Sequence, residues 1–235
     1  MTARPPAKLK PRKRPVQARS QATIEAIFEA TIQVLLHGGA RALTTNRIAE
    51  KAGVSVGTLY QYFPGKEALL YALVSRHLDK ASLAVERACE AHSGSSLADC
   101  ADTFVDAYID AKAGDVAVSR ALYHASTELD MQDLGAAMIA RLHQAVRGLL
   151  EHVQGERFES LDSIVFSWVA VVTGGTRVLF EEDGTAERLP AFRAQLKLMS
   201  RAYLDSIRTS KPKASSTPTS ECEAAEACRV SETEC

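Results

Sequence analysis

Between Val56 and Lys66 the chain reads VGTLYQYFPGK, and most of these side chains can hydrogen-bond but not make or break covalent bonds. The hydroxyls of Thr58, Tyr60 and Tyr62 donate and accept, the Gln61 amide does both, and Lys66 donates only. Gly57 contributes no side chain, and Val56 offers two methyl groups. That set suits recognition of another polar surface. Elsewhere there is no nucleophile paired with a base, no glycine-rich phosphate loop and no paired carboxylates, so catalysis is not expected.

The neighbouring residues define the elements that hold this set. Thr44 precedes TNRIAEKA and can cap its free amides. Ile48 is expected to face a core, and Ala49 is small enough to admit a neighbouring helix. Gly53 can take the positive φ that ends the helix, and Val54 plugs the turn. Ser55 can cap the next helix through the amide of Thr58, while Leu59 and Phe63 share its inner face. Two helices about a short glycine-containing turn form a helix-turn-helix. In such a motif the first turn of the second helix enters the major groove of double-stranded DNA.

The remaining residues then acquire expected roles. Val56 can touch a thymine methyl, and Gly57 removes bulk where the backbone nears DNA. Thr58 and Gln61 can bond to base edges or phosphates. Tyr60 and Tyr62 present hydroxyls to phosphate oxygens, and Lys66 joins the free amides of the following helix in a phosphate clamp. Thr45 and Asn46 sit one step inside the preceding helix, where solvation and DNA contact are both open. Val54, Leu59 and Phe63 are read as core.

Charge is distributed unevenly. Residues 1–20 carry seven basic side chains and no acid, residues 21–70 balance at four of each, and residues 71–235 hold 17 basic against 25 acidic. A basic amino end on an acidic body points to a polyanion at one end only. The arm at 1–18 is expected to be flexible, acting either as a solubilising tail or by phosphate attraction and minor-groove reach, with Arg19 as its foremost contact. No signal peptide is expected behind Met1. Ile164 to Phe180 is read as too short and too polar to span a bilayer, so no membrane partner is expected and the chain reads as cytosolic.

Five cysteines fit neither a disulfide framework nor a C-x-x-C metal pattern. Cys89 and Cys100 are read as buried apolar residues, and Cys222, Cys228 and Cys235 fall in the tail. Neither a metal nor another cofactor is expected. Alanine, leucine, glutamate and arginine dominate, and strand-like alternation is scarce, which makes the chain all-α. A helix should begin near Ser20 and stop at Gly38-Gly39. After the motif, a helix should run from Lys66 to Ala91, followed by Leu97–Lys112, Asp115–Glu128, Met131–Gln154, Ser160–Glu182 and Glu187–Arg208. The breaks are expected at Gly114, Leu129-Asp130, Gly155 and Asp183-Gly184. The predicted domains are an arm at 1–18, a helix-turn-helix domain at 19–66, a helical domain at 67–209 and a disordered polar tail at 210–235.

TTNRIAEKAGVSVGTLYQYFPGKEALL resembles the DNA-binding domain of the TetR (tetracycline-repressor) family of bacterial regulators. The Thr-x-x-x-Ile-Ala helix, the Ala-Gly-Val-Ser turn, Gly-Thr-Leu-Tyr-x-Tyr-Phe and Lys-Glu-x-Leu-Leu occur in order. Asn46 and Val56 stand where basic or polar residues are frequent in the family. The resemblance implies an amino-terminal helix-turn-helix domain and a helical carboxyl domain that dimerises and binds a small-molecule effector, in a repressor of a palindromic operator. The alternative is a ligand-independent or protein-partnered regulator whose carboxyl domain only dimerises.

Residues that could line an effector cavity are Phe104, Tyr108, Tyr123, His124, His143, Phe166 and Trp168, each with core packing as the competing reading. The family's dimer contact would fall on the last two helices. Candidates there are Ile164, Trp168, Val171, Val172, Leu179, Phe192, Leu196, Met199 and Tyr203, again with internal core as the alternative.

Overall fold

The computed structural model describes residues 18–126, 131–182 and 185–210. The described part is helical: α1 (Ala18–Gly38), α2 (Thr45–Ala52), α3 (Val56–Tyr62), α4 (Lys66–Ala91), α5 (Leu97–Ala113), α6 (Val116–Ser126), α7 (Gln132–Glu151), α8 (Leu161–Glu181) and α9 (Thr185–Ile207). A short 3-10 turn (Ala40–Ala42) joins α1 to α2. Two strands that the composition did not suggest, β1 (Glu156–Arg157) and β2 (Thr209–Ser210), pair antiparallel and tie the end of α9 to the α7–α8 connection. The arm at 1–17, the breaks at Leu129-Asp130 and Asp183-Gly184, and the tail with Cys222, Cys228 and Cys235 lie outside the described residues.

The helices form where apolar residues recur at helical spacing. On α1, Ile24, Ile27, Phe28, Val34 and Leu35 are buried, and the Thr31 hydroxyl, also buried, donates to the carbonyl of Ile27 at 2.7 Å. α7 stops three residues before the expected Gln154. There the amide of Val153 turns back to the carbonyl of Leu150 at 3.3 Å, which buries Val153, and Gly155 leaves with φ of 79°.

Two apolar cores result. The first gathers α1, α2, α3 and the start of α4 with Leu122 and Ala125 of α6 and with Met131 and Leu134. It therefore extends past the expected 66/67 boundary, through Leu69, Leu70, Tyr71, Leu73 and Val74. The second joins the far half of α4, through Val85 and Cys89, to α5, α7, α8 and α9. Leu78 packs against both. Cys89 and Cys100 belong to the second core, where burial pushes their thiols up to about 12 and about 11.

Charged contacts on the surface set helix register. Asp102, Asp106 and Asp110 on α5 face Arg201, Lys197 and Arg193 on α9, with Lys197 Nζ 2.5 Å from Asp106. Arg141 of α7 holds both carboxylate oxygens of Glu86 on α4 at 2.7 Å. Such exposed pairs contribute about 0–1 kcal/mol each, so they align helices more than they stabilise them. α8 falls one residue inside the expected Ser160–Glu182 at each end, but as a 21-residue helix it runs past the Ile164 to Phe180 stretch read as too short and too polar to span a bilayer. By length and composition it could cross a membrane, but half of its apolar stretch is buried within the bundle.

One charge goes inward. Lys112 of α5 is fully buried, and its amine has no hydrogen-bond partner among the described residues. Burial pushes it down from 10.5 to about 8. Below pH 8 the amine is protonated in both folded and unfolded chains, and the burial penalty acts in full. Between about 8 and 10.5 only the unfolded chain holds the proton, so stability rises with pH. Urea melts should therefore show wild type gaining stability relative to Lys112→Met across that window. Parallel pH profiles would contradict the assignment.

Candidate nucleic-acid interface

The turn between α2 and α3 is closed by backbone hydrogen bonds. Gly53, at φ 67°, donates to Glu50, and Val54 donates to Ala49 at 3.0 Å, which together satisfy two carbonyls at the end of α2. Both helices are capped by side chains. Thr44 accepts from the amide of Arg47 at 3.2 Å, and Ser55 accepts from that of Thr58 at 3.0 Å. Beneath them Ile48, Leu59 and Phe63 are almost fully buried, and the rings of Phe63 and Phe28 lie 5.7 Å apart. α3 is thereby fixed against α2 and α1 with one face inward.

The other face is open. Asn46, Gly57, Tyr60, Gln61 and Lys66 are exposed, while Thr45, Val56, Thr58 and Tyr62 are half-buried. Val56 and Tyr62 also pack against the first core, so each has a structural role as well. The Thr45 hydroxyl lies 3.5 Å from that of Tyr60, which joins the start of α2 to the face of α3 as one polar surface. Thr58 Oγ1 is 2.9 Å from Ser55 Oγ, which orients its hydroxyl and still leaves it acceptor capacity. Lys66 opens α4, which no side chain caps, leaving its first amides available beside that cation. Arg19 lies in the first turn of α1.

Gly57 is the most informative residue. Its φ is not positive, and an added Cβ would meet only Ser55 Oγ at 3.6 Å, an ordinary contact. Nothing among the described residues requires a glycine there. Sequence reasoning overlooked Arg47, which is exposed beside Asn46 in the first turn of α2. Its adjacency to Asn46 was the available signal.

The aromatic residues expected around an effector are dispersed. Phe104, Tyr108 and Trp168 are buried in the second core, with the Phe104 and Trp168 rings edge to face at 5.0 Å. Trp168 Nε1 donates to Ser200 Oγ at 2.9 Å. Tyr123 is half-buried, 6.4 Å from Phe180. Phe166 is 63% exposed and His124 is exposed, so both are set aside as walls of an internal cavity. His143 is half-buried, 5.9 Å from Phe166. Among the described residues no group of side chains could hold a metal.

Sequence reasoning also missed Lys112, although it continues the inward stripe of Phe104, Val105, Tyr108 and Ile109 at helical spacing. Its amine lies 5.9 Å from the ring centre of Tyr108 and 5.2 Å from that of Tyr123. An open cleft of about 520 Å³ between α1, α4, α5 and α6, lined among others by Arg76, His77, Ala111, Gly114 and Asp115, adjoins this position. Burial, with the Lys112 charge second, pushes His77 down to about 4, so its ring is neutral at pH 7.

On the last two helices, Ile164, Trp168, Val172, Leu179 and Leu196 are internal core, and Phe192 and Tyr203 are half-buried against it. Core packing was the competing reading for these residues, and it is the one observed. Val171 and Met199 do face outward, joined by Phe166, Val178 and Leu198. Gly175 admits Phe192, whose ring would lie 3.2 Å from an added Cβ, whereas Gly174 faces open space.

Two family models match the chain. "Bacterial regulatory proteins, tetR family" covers residues 27–73, and "Tetracyclin repressor-like, C-terminal domain" covers residues 96–204. Among curated proteins the chain is similar to the HTH-type transcriptional repressor KstR of Mycolicibacterium smegmatis, at 39% identity over 62 residues. It is also similar to the uncharacterized HTH-type transcriptional regulator YvkB of Bacillus subtilis, at 46% over 55 residues. These alignments take in 26% and 23% of this chain but only 30% and 29% of those proteins. Its fold is similar to a TetR-family regulator from Streptomyces coelicolor, with a TM-score of 0.58 at 22% identity over 80% of this chain and 99% of that one. It is also similar in fold to the fatty acid degradation regulator FadR of Bacillus halodurans, with a TM-score of 0.57 at 18% identity over 77% and 94%. With its helix-turn-helix at one end and its helical repressor-like domain at the other, the chain belongs to the TetR family of bacterial regulatory proteins rather than to a family of enzymes.

Proposed function

We propose that this protein is a DNA-binding transcriptional repressor that acts in the cytoplasm, binds a palindromic operator as a homodimer and releases it when a small molecule occupies the carboxyl domain. Gly57 carries the reading. A glycine in a helix costs up to about 0.5–1 kcal/mol relative to alanine, less in the first turn, and no contact among the described residues explains it. Close approach of an external backbone or base does. Around it, Gln61 and Tyr60 offer groove and phosphate contacts, Thr45 and Asn46 extend them along α2, and Lys66 pairs with the open end of α4. Arg19, in the first turn of α1, is the arm residue proposed to contact the DNA backbone. KstR, similar over the same region, is named a transcriptional repressor.

The dimer is supported by α8 and α9. Val171, Gly174 and Val178 lie at i, i+3 and i+7 on one exposed face of α8, beside exposed Leu198 and Met199 on α9. An apolar face with an unfilled glycine allows a second α8 to approach closely. Two copies related by a two-fold axis bring two α3 helices to half-sites one turn apart. Release follows if the effector prefers a conformation whose α3 spacing misfits the groove.

Selection from a random duplex library tests the whole. An enriched palindrome is expected, and salt-sensitive binding without one would overturn the reading. Gly57→Ala should raise stability by up to about 0.5–1 kcal/mol while weakening operator binding; unchanged affinity would sink the close-approach argument. Lys66→Ala should weaken binding to all sequences alike and lower the salt slope by about one. Val178→Glu, at an exposed site, should leave folding intact but halve the mass by light scattering, and an unchanged mass would rule out this interface.

A further inference from the structure

A fully buried cation without a partner is costly, and proteins retain one chiefly where something else completes it. The Lys112 amine meets no acceptor among the described residues; the rings of Tyr108 from its own helix and Tyr123 from α6 lie beside it, and His77 of α4 is near enough to feel its charge. Its backbone is held firmly, because Ser119 donates its hydroxyl to the Lys112 carbonyl at 2.7 Å and lies 3.3 Å from His77 Nε2. The side chain is thus aimed inward between aromatic rings, one residue along α5 from Ala111 in the wall of the open cleft.

We propose that Lys112 is the anchor for a carboxylate on the effector, which docks its single negative charge on the amine and lays an apolar body among Tyr108, Tyr123 and Phe180. The inference rests on the ligand-responsive reading above and names the chemical class of the ligand. A monoanion fits better than a phosphate dianion. His77 stays neutral, and among the described residues no second cation acts on the amine. Tyr123, half-buried, is the least enclosed of the surrounding rings and is the side from which the acid enters. Binding there bears on DNA because His77 lies on α4, the same helix that begins with Lys66.

The test uses matched probes on the full chain: octanoate against octanamide, phenylacetate against phenylacetamide, and inorganic phosphate. Unfolding temperature and release of a selected operator are both followed, in wild type and in Lys112→Met. At millimolar concentration at least one acid should raise the unfolding temperature and release DNA, with its amide weaker by roughly tenfold or more and phosphate inert. Lys112→Met should lose that preference while keeping operator binding and an unfolding temperature equal to or above wild type, because a buried unpaired amine is gone.

A lower unfolding temperature without added ligand would make Lys112 a structural residue and overturn the anchor. Amides that act as well as acids, or an unchanged acid response in Lys112→Met, would overturn it while leaving ligand responsiveness standing. Release of DNA by phosphate would overturn the monoanion assignment. No response to any acid would overturn the carboxylate class, and the operator selection would still judge DNA binding independently.

Discussion

The rest of the structure depends on α4 being one continuous helix that serves two cores. Its 26 residues span about 39 Å, at 1.5 Å per residue. Its first half supplies Leu69, Leu70, Leu73 and Val74 to the core under the helix-turn-helix, and its second half supplies Val85 and Cys89 to the carboxyl core. Neither core can reposition α4 without disturbing the other. Side-chain bonds along it reinforce this: Arg76 reaches Glu25 of α1 at 2.6 Å and sits over the Phe28 ring, Tyr71 donates to Asp133 of α7 at 2.6 Å, and Glu86 is clamped by Arg141. A displacement in the carboxyl core therefore has a mechanical route to α3.

α6 strengthens the same coupling. Leu122 and Ala125 face the first core, while Tyr123 turns toward Phe180 of α8 and the Lys112 amine. Neighbouring residues on one short helix thus touch the first core and the surroundings of the buried cation. The buried amine of Lys112, without a partner among the described residues, lies beside a helix that also packs on the first core. On α8 itself Phe180 is fully buried while Val171 and Val178 are exposed, so the proposed dimer contact and the proposed ligand site use different faces of that helix.

How much was legible in the sequence varied with how local the information was. The helix-turn-helix was readable because its caps, its left-handed Gly53 and its inward Ile48, Leu59 and Phe63 occupy fixed offsets within about twenty residues. Helix boundaries in the carboxyl domain followed from glycines and periodicity, with errors of a few residues where tertiary contacts decided the end, as at Val153. What the sequence did not reveal was partnership between distant elements. Trp168 and Leu196 carry the same helical spacing whether they face a core or a second subunit, and only packing against α5 distinguishes the two. Phe166 and Phe104 are identical in type, yet one is 63% exposed and the other fully buried. Lys112 continues an apolar stripe at helical spacing, a signal that the sequence reading passed over, and its lack of a partner among the described residues emerges only from the packing around it.

The central claim is that the outer face of α3 reads bases in two symmetric half-sites. Its most direct test is to select operators in parallel for the wild-type protein and for Thr58→Val, which keeps the side-chain shape and removes one hydroxyl from the first turn of α3. The enriched sequence is expected to change at corresponding positions in both halves of the palindrome, with the spacing between halves preserved. An identical palindrome for both proteins would contradict base reading by that turn. A change in one half alone would contradict the two-fold symmetric dimer.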